Sequence, residues 1–215
     1  MQASSFQTIT TPITGLYKEK GSKFIAYAYP VSSDDEIKNH LDLLRKEHPK
    51  ARHYCYAYRM TPDGSLYRSN DDGEPSGTAG KPILGQLLSF DVTNTLVVVV
   101  RYFGGTKLGA SGLIHAYKAA AQDALSQADI VTCIVMTPFH IRFPFALSGE
   151  IMQALARIHA ASITESYTDH GQISFELPLS EATLRLHQLK SQLAGFDGTE
   201  SDMDLKLAEK SIGIS

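Results

Sequence analysis

The chain has 215 residues, 43% of them hydrophobic and 20% charged, which suits one large domain or two ordinary ones and excludes a disordered or fibrous chain. A net charge of −3 excludes a global field that would demand a nucleic acid, although residues 1–137 carry 14 Lys/Arg against 13 Asp/Glu and 138–215 carry 6 against 10, so only the first part tolerates a polyanion. Cys55 and Cys133 lack CxxC spacing, which excludes a disulfide framework or zinc site, and the longest apolar run, LVVVV, is far short of the roughly 20 residues that span a bilayer.

In chain order, MQASSFQTITTP lacks the basic start and apolar centre of a signal peptide, so a cytoplasmic protein without membrane contact is expected. KFIAYAY and HYCYAYR alternate and are rich in aromatics, so each is predicted to be a strand. Between them, SSDDEIKNHLDLLRKEHP reads as a helix. Ser33 and Glu36 suit a capping box, Asp34 and Asp35 favour the positive end, and Pro49 enforces the stop. Ile37, Leu41 and Leu44 form its buried stripe, with Leu43 at the edge. TPDG suits a turn into a short strand, SLYRS.

RSNDDGEPSGTAGKP then interrupts all regular patterning, and Pro82 suits the first turn of a helix over KPILGQLLSF. NTLVVVVRYF has apolar residues on both faces, which predicts a central covered strand. GLIHAYKAAAQDALSQAD is the strongest helix, with an alanine-rich face that permits close packing. DIVTCIVM reads as a strand, with a break at Pro138. Beyond it the pattern gives strand FHIRFPF, a helix capped by Ser148, a hairpin turning at Asp169-His170-Gly171, and a helix opened by Ser180 and stopped at Gly195. A last strand near 202–207 would complete βαββαβ, a ferredoxin-like order. The expected class is α+β, with domains at 1–137 and 138–215.

GEPSGTAGKP and GGTKLGASG each run into a predicted helix, where glycine and free amides suit an anion or a closely approaching partner. Lys81, Arg101, Lys107 and Ser111 would supply donors. Tight turns without ligand explain the same glycines. The named nucleotide motifs fail: Pro75 replaces the first glycine of a Walker loop, Pro82 follows its lysine, and GGTKLG is not a dinucleotide fingerprint. Ser111 lacks the second glycine of a nucleophile elbow, since position 113 is leucine. Asp71, Asp72 and Glu74 suit either a hard cation or a solvated turn, without calcium-loop spacing. The tyrosines at 27, 29, 54, 56 and 58 suit base stacking or ordinary packing.

ARHYCYAY, SNDDGEPSGTAGKPILGQLL and VVVVRYFGGTKLGASGLIHAYKAAAQDAL, in that order, closely resemble the YigZ/IMPACT family over about residues 15–130. The resemblance implies a first domain with the left-handed βαβ fold of elongation factor G domain IV and a ferredoxin-like second domain. It implies no agreed catalytic set, metal or cofactor. Eukaryotic relatives regulate translation by binding an activator of a starvation kinase through an extra domain, which is not expected here. The leading expectation is a non-enzymatic module that contacts RNA, the ribosome or a translation protein. Its binding surface would comprise His53, then Asp71, Asp72, Glu74, Gly77, Thr78 and Lys81 of the first loop. Arg101, Gly104, Gly105, Lys107 and Ser111 would complete it, with both loops packed together and their charges presented outward. Two alternatives stay open: a metal-assisted phosphate-ester hydrolase or transferase, and a pure protein-interaction domain.

Overall fold

The computed structural model describes residues 3–215 and divides into two compact units, Met1–Cys133 and Ile134–Ser215. In the first, five strands form one sheet in the order β2 (Ile13–Glu19), β3 (Ser22–Pro30), β6 (Thr95–Tyr102), β4 (His53–Met60), β5 (Leu66–Asn70), every neighbouring pair antiparallel. Strands β3 and β4 therefore run parallel on either side of β6, joined through helix α1 (Asp34–Glu47), a βαβ unit with one strand inserted.

Strand β6 is apolar on both faces because each face meets a separate core. Val97 and Val99 pack beneath α2 (Gly80–Ser89) and α3 (Gly109–Ser126), while Leu96, Val98 and Val100 pack beneath α1. Burying each such side chain is worth about 1.5–3 kcal/mol. Tyr29, Tyr54 and Tyr58 are buried in the α1 core, with Tyr27 and Tyr56 packed against it, so these rings serve packing. At the head of α1, Ser33 Oγ accepts from Glu36 N at 3.3 Å, but the Glu36 carboxylate accepts from Ser32 N at 2.7 Å, one residue earlier than a capping box requires. Leu43 faces solvent.

Strands β1 (Ser5–Ile9) and β2 carry too little apolar alternation to be read from sequence. Strand β1 pairs with β7 (Ile130–Ile134) in a separate two-stranded sheet. The alanine face of α3 crosses β2 so closely that a Cβ at Gly15 would lie 2.3 Å from Ala124 N.

In the second unit, β8 (Met136–Phe143), α4 (Ser148–Arg157), β9 (Ala161–Tyr167), β10 (Gly171–Pro178), α5 (Ala182–Ala194), α6 (Glu200–Glu209) and β11 (Gly213–Ile214) follow in order. The sheet runs β11-β8-β10-β9, all antiparallel, which is the ferredoxin-like arrangement. Four local expectations are corrected. Residues 202–207 lie in helix α6, because Thr199 Oγ1 caps Asp202 N at 3.2 Å and Met203 and Leu207, four residues apart, are both buried. The closing strand lies at Gly213–Ile214 instead. Pro138 lies inside β8, where β11 pairs only with Ile141 and Arg142, so its missing N–H leaves no bond to β11 unmade. Ser148 Oγ donates to Phe145 O rather than capping α4, and α5 begins after Glu181 without a side-chain cap. Among the described residues no helix is long and apolar enough to cross a membrane.

Candidate functional site

The first glycine-rich loop, 71–80, is closed by its own acidic side chains. Asp71 accepts three backbone N–H bonds, from Gly77 (2.8 Å), Ala79 (3.0 Å) and Gly80 (2.8 Å), so it both folds the loop and caps α2 from outside the helix. Burial pushes its carboxyl upward, but these amides and the Lys81 charge outweigh that and hold it below the usual aspartate value. Asp72 sits at φ +41° and accepts from Tyr54 N at 2.7 Å, taking over where β5 has stopped pairing with β4. Its carbonyl lies 2.8 Å from His53 Nδ1. A carbonyl only accepts, so Nδ1 carries the proton and Nε2 is the free ring nitrogen.

Glu74 turns inward. Its Oε1 accepts from Arg101 Nη1 at 2.5 Å and from Tyr117 Oη at 2.8 Å, and the Glu74 and Arg101 side chains are only 4% and 8% exposed. Cys55 Sγ lies 3.0 Å from Asp71 O and 3.3 Å from Tyr117 Oη, and burial pushes the Cys55 thiol and the Tyr117 phenol up, so both stay protonated. These are structural donors, not nucleophiles. Thr78 Oγ1 donates to Pro75 O at 2.6 Å. At Gly80 a Cβ would meet Asn70 N at 2.6 Å, so α2 can start against β5 only with glycine there.

The second loop, 103–108, is held by backbone contact. Gly104 N donates to Ser22 Oγ at 3.1 Å, and a Cβ on Gly104 would fall 1.9 Å from the carbonyl carbon of Gly21, in the β2–β3 turn. Helix α3 then begins after Leu108, which has no capping side chain. Phe103 is half-exposed, and the Arg101 Cζ lies 5.6 Å from its ring centre and 5.4 Å from that of Phe24.

Between the two loops opens a cleft of about 410 Å³. Its lining unites four of the expected residues, His53, Glu74, Arg101 and Lys107, and adds Arg52 and Phe103, which stand within the family motifs but outside the expected binding surface. Asp71, Asp72, Gly77, Thr78, Lys81, Gly104, Gly105 and Ser111 lie outside that lining. The expectation that both loops display their charges is corrected: Glu74 and Arg101 are buried, and Asp71 and Asp72 are half-buried and bonded to backbone, while Lys81 and Lys107 remain exposed. An ionised carboxylate leaves water only where donors replace it, and this loop supplies them. Among the described residues no three His, Cys, Asp or Glu side chains are grouped so as to hold a metal ion.

Comparison with known proteins gives a consistent picture. The family model of the Impact N-terminal domain matches residues 20–125. YvyE of Bacillus subtilis is 38% identical over 134 residues, 62% of each chain. YigZ of Escherichia coli is 32% identical over 187 residues, 86% of this chain and 90% of that one. A crystal structure described only as a hypothetical protein superposes with a TM-score of 0.72 at 29% identity, covering 98% of this chain and 96% of the other. A structure described as the two-domain translational regulator Yih1 aligns over 57% of this chain and 47% of its own, at 32% identity and a TM-score of 0.34. With YigZ matched over nearly its full length and the Impact N-terminal model spanning the residues that line the cleft, this chain belongs to the IMPACT family.

Proposed function

We propose that this chain is a cytoplasmic, non-enzymatic binding protein associated with translation or its regulation, and that it contacts RNA or a ribosomal surface through the cleft and the second glycine loop. Family membership supports the link to translation. The observation that carries the binding reading is electrostatic. The carboxylates of the first loop are consumed internally, whereas Arg52, Lys81 and Lys107 stay in solvent around the two loops. Lys20 of the β2–β3 turn, which packs on Gly104, and Lys18 and Lys23 on the flanking strands are exposed as well. A nearly neutral unit thereby presents a locally positive face to phosphate.

The test is co-sedimentation with ribosomes across a salt series. Association should be strongest at low salt, and each exposed cation replaced by alanine should lower the salt slope by about 1. An absence of association even at low salt would sink the proposal. The metal-assisted phosphate-ester reading has less support, because the carboxylates it needs are already engaged by backbone amides, Arg101 and Tyr117.

A further inference from the structure

The cleft holds more positive charge than its own partners neutralise. Arg101 is balanced by Glu74, so the net charge comes from Arg52 and Lys107, neither of which forms an ion pair among the described residues. Arg101 also lines the cleft, 7% exposed and engaged by Glu74. The start of α3 also borders the cleft at Gly109 and Ala110, with no side chain capping it. Its first amides are therefore donors without intrahelical acceptors. His53 contributes a third kind of polar group, since only its Nδ1 is engaged.

Two uncompensated cations and an open helix start suit a dianion with at least three free oxygens. A phosphodiester offers two such oxygens and one charge, whereas a phosphomonoester offers three oxygens and, near neutral pH, close to two charges. The remaining wall is apolar: Pro75, Leu108 and Leu113 line the cleft together with the half-exposed ring of Phe103. A flat apolar surface beside a phosphate seat fits a nucleobase. The cleft volume of about 410 Å³ lies within the range of small-ligand sites.

We infer that this cleft is a seat for the terminal phosphate of a nucleotide, with the phosphate between Arg52, Lys107 and the start of α3 and the base against Phe103. This deepens the RNA part of the proposed function and rests on it. A free nucleotide and the phosphorylated end of an RNA share this chemistry, and the experiment separates them.

The probes are one short single-stranded oligoribonucleotide with hydroxyl ends, with a 5′-phosphate or with a 3′-phosphate, and free AMP, each measured by fluorescence anisotropy or competition. One phosphorylated form should bind at least about tenfold more tightly than the hydroxyl form, the worth of one charge-assisted hydrogen bond. Arg52→Gln and Lys107→Ala should each abolish that preference, and Phe103→Ala should weaken binding about tenfold or more. Lys118→Ala, exposed on α3 outside the cleft, should change nothing, and thermal melting checks that every variant is folded. Equal binding of all three oligonucleotides overturns the inference and leaves RNA binding standing. Binding of AMP alone supports the seat and removes RNA from the proposed function. Failure of every probe at low salt overturns the seat and the RNA part of the proposed function, and ribosome co-sedimentation decides the rest.

Discussion

The two glycine-rich loops share a sequence style and differ in how they are held. The loop at 71–80 uses acidic side chains as internal braces: Asp71 for the helix start, Asp72 for the start of β4, and Glu74 for Arg101 and Tyr117. The loop at 103–108 has no such brace. It is fixed by the contact of Gly104 on Gly21 and leaves Lys107 and the start of α3 unpartnered. One helix start is thus occupied by protein and the other is open. Glycine content alone therefore says little about which loop binds anything; the carboxylates decide it.

The largest test of this contrast is Glu74→Ala. Arg101 would be left buried without a counter-charge, which should cost about 3–5 kcal/mol in urea unfolding. An unchanged midpoint would mean that the first loop is not a brace. In the second loop the corresponding test is steric. Gly104→Ala would place a methyl 1.9 Å from the Gly21 carbonyl carbon, and the loop should have to lift from the β2–β3 turn at about 1–3 kcal/mol.

Asp71→Asn is smaller, about 1–2 kcal/mol, by analogy with the loss of a helix cap. It should also change the pH profile. The folded Asp71 carboxyl is depressed, so its contribution is complete above the unfolded value near 3.8 and is lost as pH falls through the folded value. The variant should therefore show a flatter loss of stability below about pH 4 than the parent. Smallest in stability is Lys107→Ala, expected within about 0.5 kcal/mol of the parent by thermal melting. Its effect should appear in binding alone, which is what separates a presenting loop from a bracing one.

Much of the scaffold was legible locally. The Ser33 cap and Pro49 bound α1, the two-sided apolar run marked β6 as central, and Gly195 stopped α5 at φ +87°. Legibility failed where packing outweighed pattern. Strand β2 carries few apolar residues, yet lies under α3 because Gly15 lets Ala124 approach. At 202–207 the ferredoxin-like order asks for a strand, while the cap at Thr199 and the spacing of Met203 and Leu207 settle the segment as helix.

At the site, the sequence by itself determined which residue types were available: glycines at two helix starts, acids in the first loop, a lysine in the second, and the motif order that marks the IMPACT family. It did not determine the direction in which any charge points. Glu74 meets Arg101 across 27 residues and Tyr117 across 43, and Arg52 and Phe103 join the cleft only because β4 and β6 are neighbours in the sheet. A charge is buried when distant elements bring it a partner and is left in water when they do not, so only the tertiary structure could separate the bracing acids from the free cations.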